Sequence, residues 1–483
     1  MKKKNIAMLI AMTMITSGVT APMEAVYASD EVQIQSEDAF ESESGDATEE
    51  STDVTGDTED SFTESSESET TDMSESEEVE ITGDAEQSGD EEIEISEENS
   101  DAEEKFADMF SDGIEDVATH SSEVIESGYC GAHWAGDTDD EKVSYKLYAD
   151  GTLIIEGEGT FAGSIFQNDD RIKTVQISEG ITELGGTYSY TFWGCKNLTT
   201  VTLPESLKSI GRMAFYECEN LSTINIPSGV TSIGDSTFYN CKALKSISIP
   251  DGVTSIERNT FDNCISLSNV SISTESKLTS IGQYSFDDCK NLESLNIPSG
   301  VTSIGQSAFY NCEKLTGITI PSGITEIKDT VFYNCESLSS INIPSGVTSI
   351  GASAFAYCEK LTDITIPSGI TKIEESTFEG CKSLEGITIP STVTSIGNEA
   401  FSDCESLSSI EIPSGVTSIG TYILRGCSNL RSATLPKDIK TVRQGMFSGC
   451  KRLMNITLPE SVTVIEDNAF SSCSDLKELV LPT

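Results

Sequence analysis

Apolar residues recur from Leu198 to the end of the chain in a 23-residue unit, L-x-x-I-x-I-P-S-G-V-T-S-I-G-x-x-A/T-F-x-x-C-x-x. Within one copy, Ile224 and Ile226 alternate with Asn225, which predicts a strand with the isoleucines inward and Asn225 in solvent. Pro227 closes that strand, because proline has no N–H to give to a sheet. The pattern therefore predicts one short, half-buried strand in each unit.

The rest of the unit predicts a turn and a second apolar wall. Gly229 follows the proline and serves a turn, since glycine adopts positive φ at no steric cost. Val230 and Ile233 are expected to bring the chain back along a second wall, Phe238 to fill the interior, and Cys241 to lie near the return to the next strand. One unit alone cannot hide these residues, whereas stacked units bury a continuous core. The chain is thus predicted to be a tandem solenoid.

Two residue types mark the period. Thirteen cysteines fall 23 residues apart, except for one step of 25 between Cys264 and Cys289, and twelve of the 13 prolines follow the same spacing. Ser273 takes the proline position in the longer unit. An earlier unit, IKTVQIS at 172–178, begins the array, so about 14 strand units are expected over 172–483.

The segment ahead of the array is predicted to cap it. In VSYKLYADGTLIIEG, apolar residues alternate around Asp150 and Gly151, which is a strong hairpin signal. A hairpin with one polar face covers the first coil of a solenoid. We assign residues 128–171 to this cap and expect no comparable cap after the last strand, ELVLPT.

The unit L-x-x-I-x-I-P-x-x-V-x-x-I-G-x-x-A-F-x-x-C and the lead-in SGYCGAHW…LYADGTLIIEGEGTF resemble the BspA-like leucine-rich repeat of bacterial secreted and surface proteins. The resemblance covers about residues 128–483 and implies a right-handed solenoid with a parallel sheet on one side. It also implies adhesion to host proteins, matrix or other cells. The family is functionally mixed, and the resemblance carries no fixed catalytic or binding residues.

The N-terminal quarter has a different composition. Residues 1–28 read as a signal peptide, with Lys2, Lys3 and Lys4 before an apolar stretch and a small-residue cleavage pattern at Ala28. Residues 29–127 are rich in Ser, Thr and Glu. From Ser29 to Gly128, 38 acidic residues face one basic residue, which gives 37 of the 52 net negative charges. Such a segment is predicted to be disordered, as a spacer or a binder of divalent cations or basic partners.

These features favour an exported protein, secreted or attached to a bacterial surface. The strongly acidic chain is not expected to bind nucleic acid, because it could not neutralise phosphates. No apolar run after the signal peptide is long enough to span a membrane.

The remaining residues do not indicate a disulfide framework, a metal site or a catalytic site. Array cysteines on adjacent coils are expected to have parallel Cβ vectors, which suit buried free thiols better than disulfides. For Cys130, which lies outside the array, the sequence does not distinguish a disulfide from a free thiol. The only histidines, His120 and His133, precede the repeats, and the chain has no C-x-x-C pair. We expect no enzyme activity, metal or cofactor, although counting carboxylates leaves a glycosidase-type pair open.

Two exposed stripes are candidate binding surfaces. The position after the interior Phe reads Trp193, Tyr216, Tyr239, then Asp262 and Asp287, then Tyr310 and Tyr333. Aligned on adjacent coils, these aromatic residues form either an interface or rings that shield the corner beneath. The outward strand position is mostly Ser, Thr or Asn, and forms either a solvated sheet or a hydrogen-bonding face for a protein or glycan. Its candidate binding residues are Asn225, Asn296, Thr319, Asn342, Thr365 and Thr388.

The predicted function is a non-enzymatic binding or adhesion module whose partner is an extracellular protein or glycan on host or neighbouring cells. The alternative is a structural envelope protein that self-associates through its C-terminal coil.

Overall fold

The structure is a computed structural model that describes residues 122–131, 142–185 and 190–481. These residues contain short strands and turns and no α-helix. The strands are β1 (Val124–Tyr129), β2 (Val143–Tyr148), β3 (Thr152–Gly157), β4 (Gly159–Phe161), β5 (Thr174–Ile177), β6 (Ile181–Leu184), β7 (Thr200–Thr202), β8 (Ser209–Ile210), β9 (Thr223–Ile224), β10 (Ser232–Ile233), β11 (Ser246–Ile249), β12 (Ser255–Ile256), β13 (Asn269–Ile272), β14 (Ser280–Ile281), β15 (Ser294–Leu295), β16 (Ser303–Ile304), β17 (Gly317–Ile318), β18 (Glu326–Ile327), β19 (Ser340–Ile341), β20 (Ser349–Ile350), β21 (Asp363–Ile364), β22 (Lys372–Ile373), β23 (Ser395–Ile396), β24 (Ser409–Glu411), β25 (Ser418–Ile419), β26 (Ser432–Thr434), β27 (Thr441–Val442), β28 (Asn455–Thr457), β29 (Val464–Ile465) and β30 (Glu478–Val480).

The predicted hairpin cap is present. Strands β2 and β3 pair antiparallel around the turn at Asp150 and Gly151, and β1 pairs antiparallel with β2. Strand β3 then pairs parallel with β5, which joins the cap to the first coil of the array. Because β1 begins at Val124, the antiparallel part of the cap starts four residues before 128.

The array is the predicted solenoid of about 14 coils. Strands of the L-x-x-I-x-I segment pair in parallel and in register, as Ile247 pairs with Val270. The second apolar wall also contains strands, because the T-S-I segments pair in parallel, as Ile281 does with Ile304. Most coils therefore carry two short strands, and the outer face of the first row will be called the sheet face. The coil that contains Thr388 joins this row only through a bridge to Thr365.

The interior contains a ladder of phenylalanine rings that runs from Phe192 to Phe401 with fully buried side chains. Leu424 takes the place of the ring in the next coil, and the ladder resumes with Phe447 and Phe470. Phe286, Phe309 and Phe332 are stacked with centroids 5.5 and 5.6 Å apart. Ile224 and Ile226 are buried and Asn225 is exposed, as the alternation predicts. Identical coils place identical rings one above another, which explains why the sequence repeats so closely.

The cysteines are free thiols, and each array thiol caps a backbone carbonyl of the preceding coil. Cys241 Sγ donates to the carbonyl oxygen of Phe215 at 3.2 Å, and Cys312 Sγ donates to that of Phe286 at 3.3 Å. Burial raises the pKa of the Cys195 thiol to about 12. Cys130 is also free and buried, packed in the cap. The expectation of buried free thiols in the array is confirmed.

Several expectations lie outside the described residues. These are the signal peptide at 1–28, the acidic segment up to residue 121, and both histidines. Among the residues that the structure does describe, no helix has the length and hydropathy needed to cross a bilayer.

Candidate functional site

The candidate site is the row of side chains that follow the interior phenylalanines, called here the aromatic stripe and defined by Trp193, Tyr216, Tyr239, Tyr310 and Tyr333. Each ring is half-buried at one edge of the array. Trp193 contacts Tyr216 edge to face at 5.6 Å, and Tyr216 is stacked on Tyr239 with centroids 4.5 Å apart. Tyr310 is stacked on Tyr333 at 4.6 Å. The stripe is therefore two separate stacks on one edge.

Each stack contacts one further aromatic ring that the repeat pattern did not identify. Tyr190 contacts Trp193 at 5.3 Å, and Tyr357 contacts Tyr333 at 5.3 Å with the rings 69° apart. The Tyr357 hydroxyl also donates to Glu379 Oε1 at 2.7 Å. Tyr357 directly follows Ala356, the residue at the stripe position, so a search that allowed a shift of one position would have found it.

A ladder of amides orients the turn beneath the stripe. The residue after each stripe position has left-handed φ, 60° at Asn240 and 59° at Asn263, and asparagine tolerates this conformation better than most residues. Asn263 Nδ2 donates to Asn240 Oδ1 at 2.7 Å, and Asn334 Nδ2 donates to Asn311 Oδ1 at 3.0 Å. These bonds between coils fix the turn and hence the direction of the neighbouring ring.

Two carboxylates interrupt the stripe between its stacks. Asp262 and Asp287 occupy the stripe position of the two coils between those of Tyr239 and Tyr310. Backbone hydrogen bonds of 2.7–2.9 Å join these four coils immediately beside the stripe. The stripe thus carries two short aspartates where the flanking coils carry tyrosine rings, and we call this pair the acidic gap.

Burial dominates the electrostatics of the acidic gap. It raises the pKa of Asp262 to about 7, with a further contribution from the charge of Asp288 and an opposing one from Arg258. Burial, with the charges of Asp262 and Asp288, raises the pKa of Asp287 to about 8. Asp287 Oδ1 is buried and accepts no hydrogen bond from the described residues. The Asp288 N–H lowers the pKa of Asp287 in part, but Oδ1 of the ionised carboxylate has no donor among these residues.

The sheet face carries the other predicted residues, and all six are exposed: Asn225, Asn296, Thr319, Asn342, Thr365 and Thr388. Four of them line two shallow depressions that share Asp363 and Thr365, one of about 530 Å³ and one of about 760 Å³. Each depression contains a glycine where neighbouring coils have a side chain, Gly317 in the first and Gly386 in the second. A Cβ at either glycine would meet no atom within 4 Å. The repeat pattern missed these depressions because they arise from missing side chains.

Comparison with known proteins identifies the repeat. Residues 160–278, 254–385 and 371–483 match the family described as BspA type leucine rich repeat region. A leucine-rich repeat protein from Bacteroides ovatus is 27% identical, with 71% of this chain and 95% of that chain covered and a TM-score of 0.55. A leucine-rich cell surface protein from Faecalibacterium prausnitzii is 31% identical over 61% of this chain and 93% of that chain, with a TM-score of 0.43. No curated protein matches.

The family match covers well over half of the chain, and the Bacteroides structure shares its fold. The predicted resemblance is thus confirmed: the chain belongs to the BspA-type leucine-rich repeat family.

Proposed function

We propose that the protein is an extracellular, non-enzymatic binding module of a bacterium that docks a protein partner on its aromatic stripe. Proteins of this repeat family are typically interaction scaffolds, which supports a binding role in general terms. Adhesion to host or neighbouring cells is the form of binding that we propose.

The observation that carries this proposal is the pair of half-buried ring stacks on one edge of the solenoid. The core beneath is already closed by the buried phenylalanine ladder, so the outer rings are not needed to fill the interior. Tyrosine and tryptophan offer large apolar faces with a polar tip and dominate protein interfaces for that reason. The sheet face has no such rings at its outward positions, which carry hydroxyls, amides and the carboxylate of Glu411, apart from Val480 in the last described coil.

Binding of the full chain to an array of extracellular-matrix proteins and glycans tests the proposal. A variant with Tyr216, Tyr239, Tyr310 and Tyr333 changed to Ser should lose most of the binding that the wild type shows. A control variant changes three tyrosines outside the stripe, Tyr129, Tyr148 and Tyr422, to Ser and should bind like the wild type. Equal binding by all three proteins, each with a cooperative melting transition, would remove the stripe as the docking surface.

Self-association is the second candidate function, and one observation favours it. The last described coil exposes apolar side chains, with Ile465 42%, Val464 47% and Leu481 56% accessible. A second copy could cover these residues, as could any further coil. Light scattering of the full chain over a hundredfold concentration range distinguishes the candidates, because a monomer at every concentration excludes self-association.

A further inference from the structure

The depression around Gly386 on the sheet face, of about 760 Å³, has an open apolar floor. Gly386 has no side chain, and a Cβ at this position would meet no atom within 4 Å. Ile387 lines the depression and is half-buried, whereas Ile364 and Ile410, at the same position of the two flanking coils, are only 3% and 4% exposed. This coil therefore presents to solvent apolar surface that its neighbours bury.

Carboxylates stand at the rim of this floor. Asp363 occupies the position of Gly386 in the preceding coil, and Glu411 occupies the position of Thr388 in the following coil. Neighbouring strands lie about 4.8 Å apart, so Asp363 is directly beside the space above Gly386 and Glu411 lies diagonally across it. Glu385 is the third carboxylate of the lining.

The three carboxylates have no charge partner in the array. No lysine or arginine lines the depression, and Asp363, Glu385 and Glu411 form no ion pair among the residues that the structure describes. Elsewhere on the array, glutamates are paired with lysines of adjacent coils, as Glu219 is with Lys242 at 3.1 Å. Within the described ranges, the three carboxylates do not form a group that could hold a metal ion. An organic cation therefore fits the depression better than a metal.

An ammonium group at the end of an aliphatic chain matches both features of the site. The stem of a lysine side chain can pack on Ile387 while its ammonium reaches a rim carboxylate. An inorganic cation would leave the apolar floor uncovered, and a neutral aliphatic group would leave the carboxylates unpaired. The depression is shallow and covers one side of a ligand, whereas sites for free small molecules bury most of the ligand surface. This favours a side chain that a larger partner holds in place.

We propose that the depression around Gly386 binds a lysine side chain of an extracellular protein. The stem packs on Ile387, the ammonium pairs with Asp363, and the charge of Glu411 adds to the attraction. The hydroxyl oxygen of Thr388 accepts a hydrogen bond from the ammonium. This site lies on the sheet face and does not use the aromatic stripe, so it adds a second surface to the proposed function and is tested separately.

Methyl NMR of the full chain, labelled at the isoleucine δ1 carbons, observes this site directly because Ile387 forms its floor. The Ile387→Val variant identifies the signal. The probe is α-acetyl-lysine methylamide, whose only charge is the side-chain ammonium, titrated at about 0.15 M salt. We expect a saturable shift of the Ile387 methyl signal. The norleucine analogue, which has the stem without the charge, and ammonium chloride, which has the charge without the stem, should produce no saturable shift.

Variants of the depression test the same assignment. Gly386→Gln fills the space and should abolish the saturable shift, and it should fold because a Cβ meets no atom within 4 Å. The matched control is Gly346→Gln, which lies outside the depression and whose Cβ would be 3.8 Å from the nearest atom, and it should bind the probe like the wild type. Asp363→Asn should weaken binding about threefold to fivefold, the effect of one exposed charge pair.

Equal saturable shifts with the lysine and norleucine probes would overturn the proposal, as would a saturable shift that persists in the Gly386→Gln variant. Cadaverine, a free diamine with a similar stem, distinguishes the two sources of an ammonium group. If cadaverine binds more than tenfold more tightly than the lysine probe, the site takes a free amine and the assignment to a protein side chain is wrong. None of these results changes the test of the aromatic stripe.

Discussion

The pair Asp262 and Asp287 should make the protein less stable as pH rises. Both carboxyls have higher pKa values in the folded protein, about 7 and about 8, than the value of about 3.9 for an unfolded chain. Between the pKa of the unfolded chain and those of the folded protein, the folded state binds more protons than the unfolded state. The free energy of unfolding therefore falls as pH increases through this range. For Asp262 alone the loss between pH 5 and pH 8.5 is about 3 kcal/mol.

Changing both residues to asparagine should remove this component of the pH dependence. The remaining groups around the pair, Asp288 and Arg258, stay in place, and so does the rest of the acidic surface. We therefore compare variants rather than absolute stabilities. Relative to the wild type, the double variant should gain about 3 kcal/mol or more on going from pH 5 to pH 8.5.

Urea denaturation at the two pH values, followed by circular dichroism, measures this difference. The control variant with Glu326 and Glu385 changed to Gln removes two exposed charges and should follow the wild type within about 0.5 kcal/mol. If the asparagine variant loses as much stability as the wild type between pH 5 and pH 8.5, the carboxyls are not buried as described, and the account of the acidic gap is wrong.

Three further predictions concern the scaffold. Phe309→Ala, which removes a ring stacked on both sides, should cost about 3–5 kcal/mol in urea denaturation, and Phe470→Ala, at the end of the ladder, about half as much. The Cys312 thiol should stay unreactive toward a thiol reagent in the native protein and become reactive in urea, because burial raises its pKa and excludes the reagent. Gly305→Ala should lower the melting temperature, since a Cβ would lie 2.3 Å from a backbone nitrogen, whereas Gly317→Ala should leave it unchanged.

The fold was largely predictable because each coil repeats the same pattern of apolar residues, proline and glycine. Alternation of Ile224, Asn225 and Ile226 is enough to assign a half-buried strand, and Pro227 marks its end. The strand at Ser232–Ile233 was predicted only as an apolar wall, since two residues are too few to show an alternation. Its strand character comes from pairing with the identical segment of the preceding coil, Ser209–Ile210, which is a property of the stack.

The candidate site was predictable in position but not in chemistry. The repeat register identified Tyr216 and Tyr239 as neighbours on one edge, and their rings are stacked. The same register identified Asp262 and Asp287 only as interruptions. Their raised pKa values follow from burial by adjacent coils, which a sequence pattern does not measure.

Hydroxyl-radical footprinting of the full chain, free and bound to the matrix protein that it captures, tests the docking surface most directly. The reagent modifies exposed aromatic side chains and reports each one separately. We predict that binding protects Trp193, Tyr216, Tyr239, Tyr310 and Tyr333, while Tyr129 and Tyr422 stay as reactive as in the free protein. Protection confined to residues of the sheet face, with the aromatic stripe unchanged, would contradict the account.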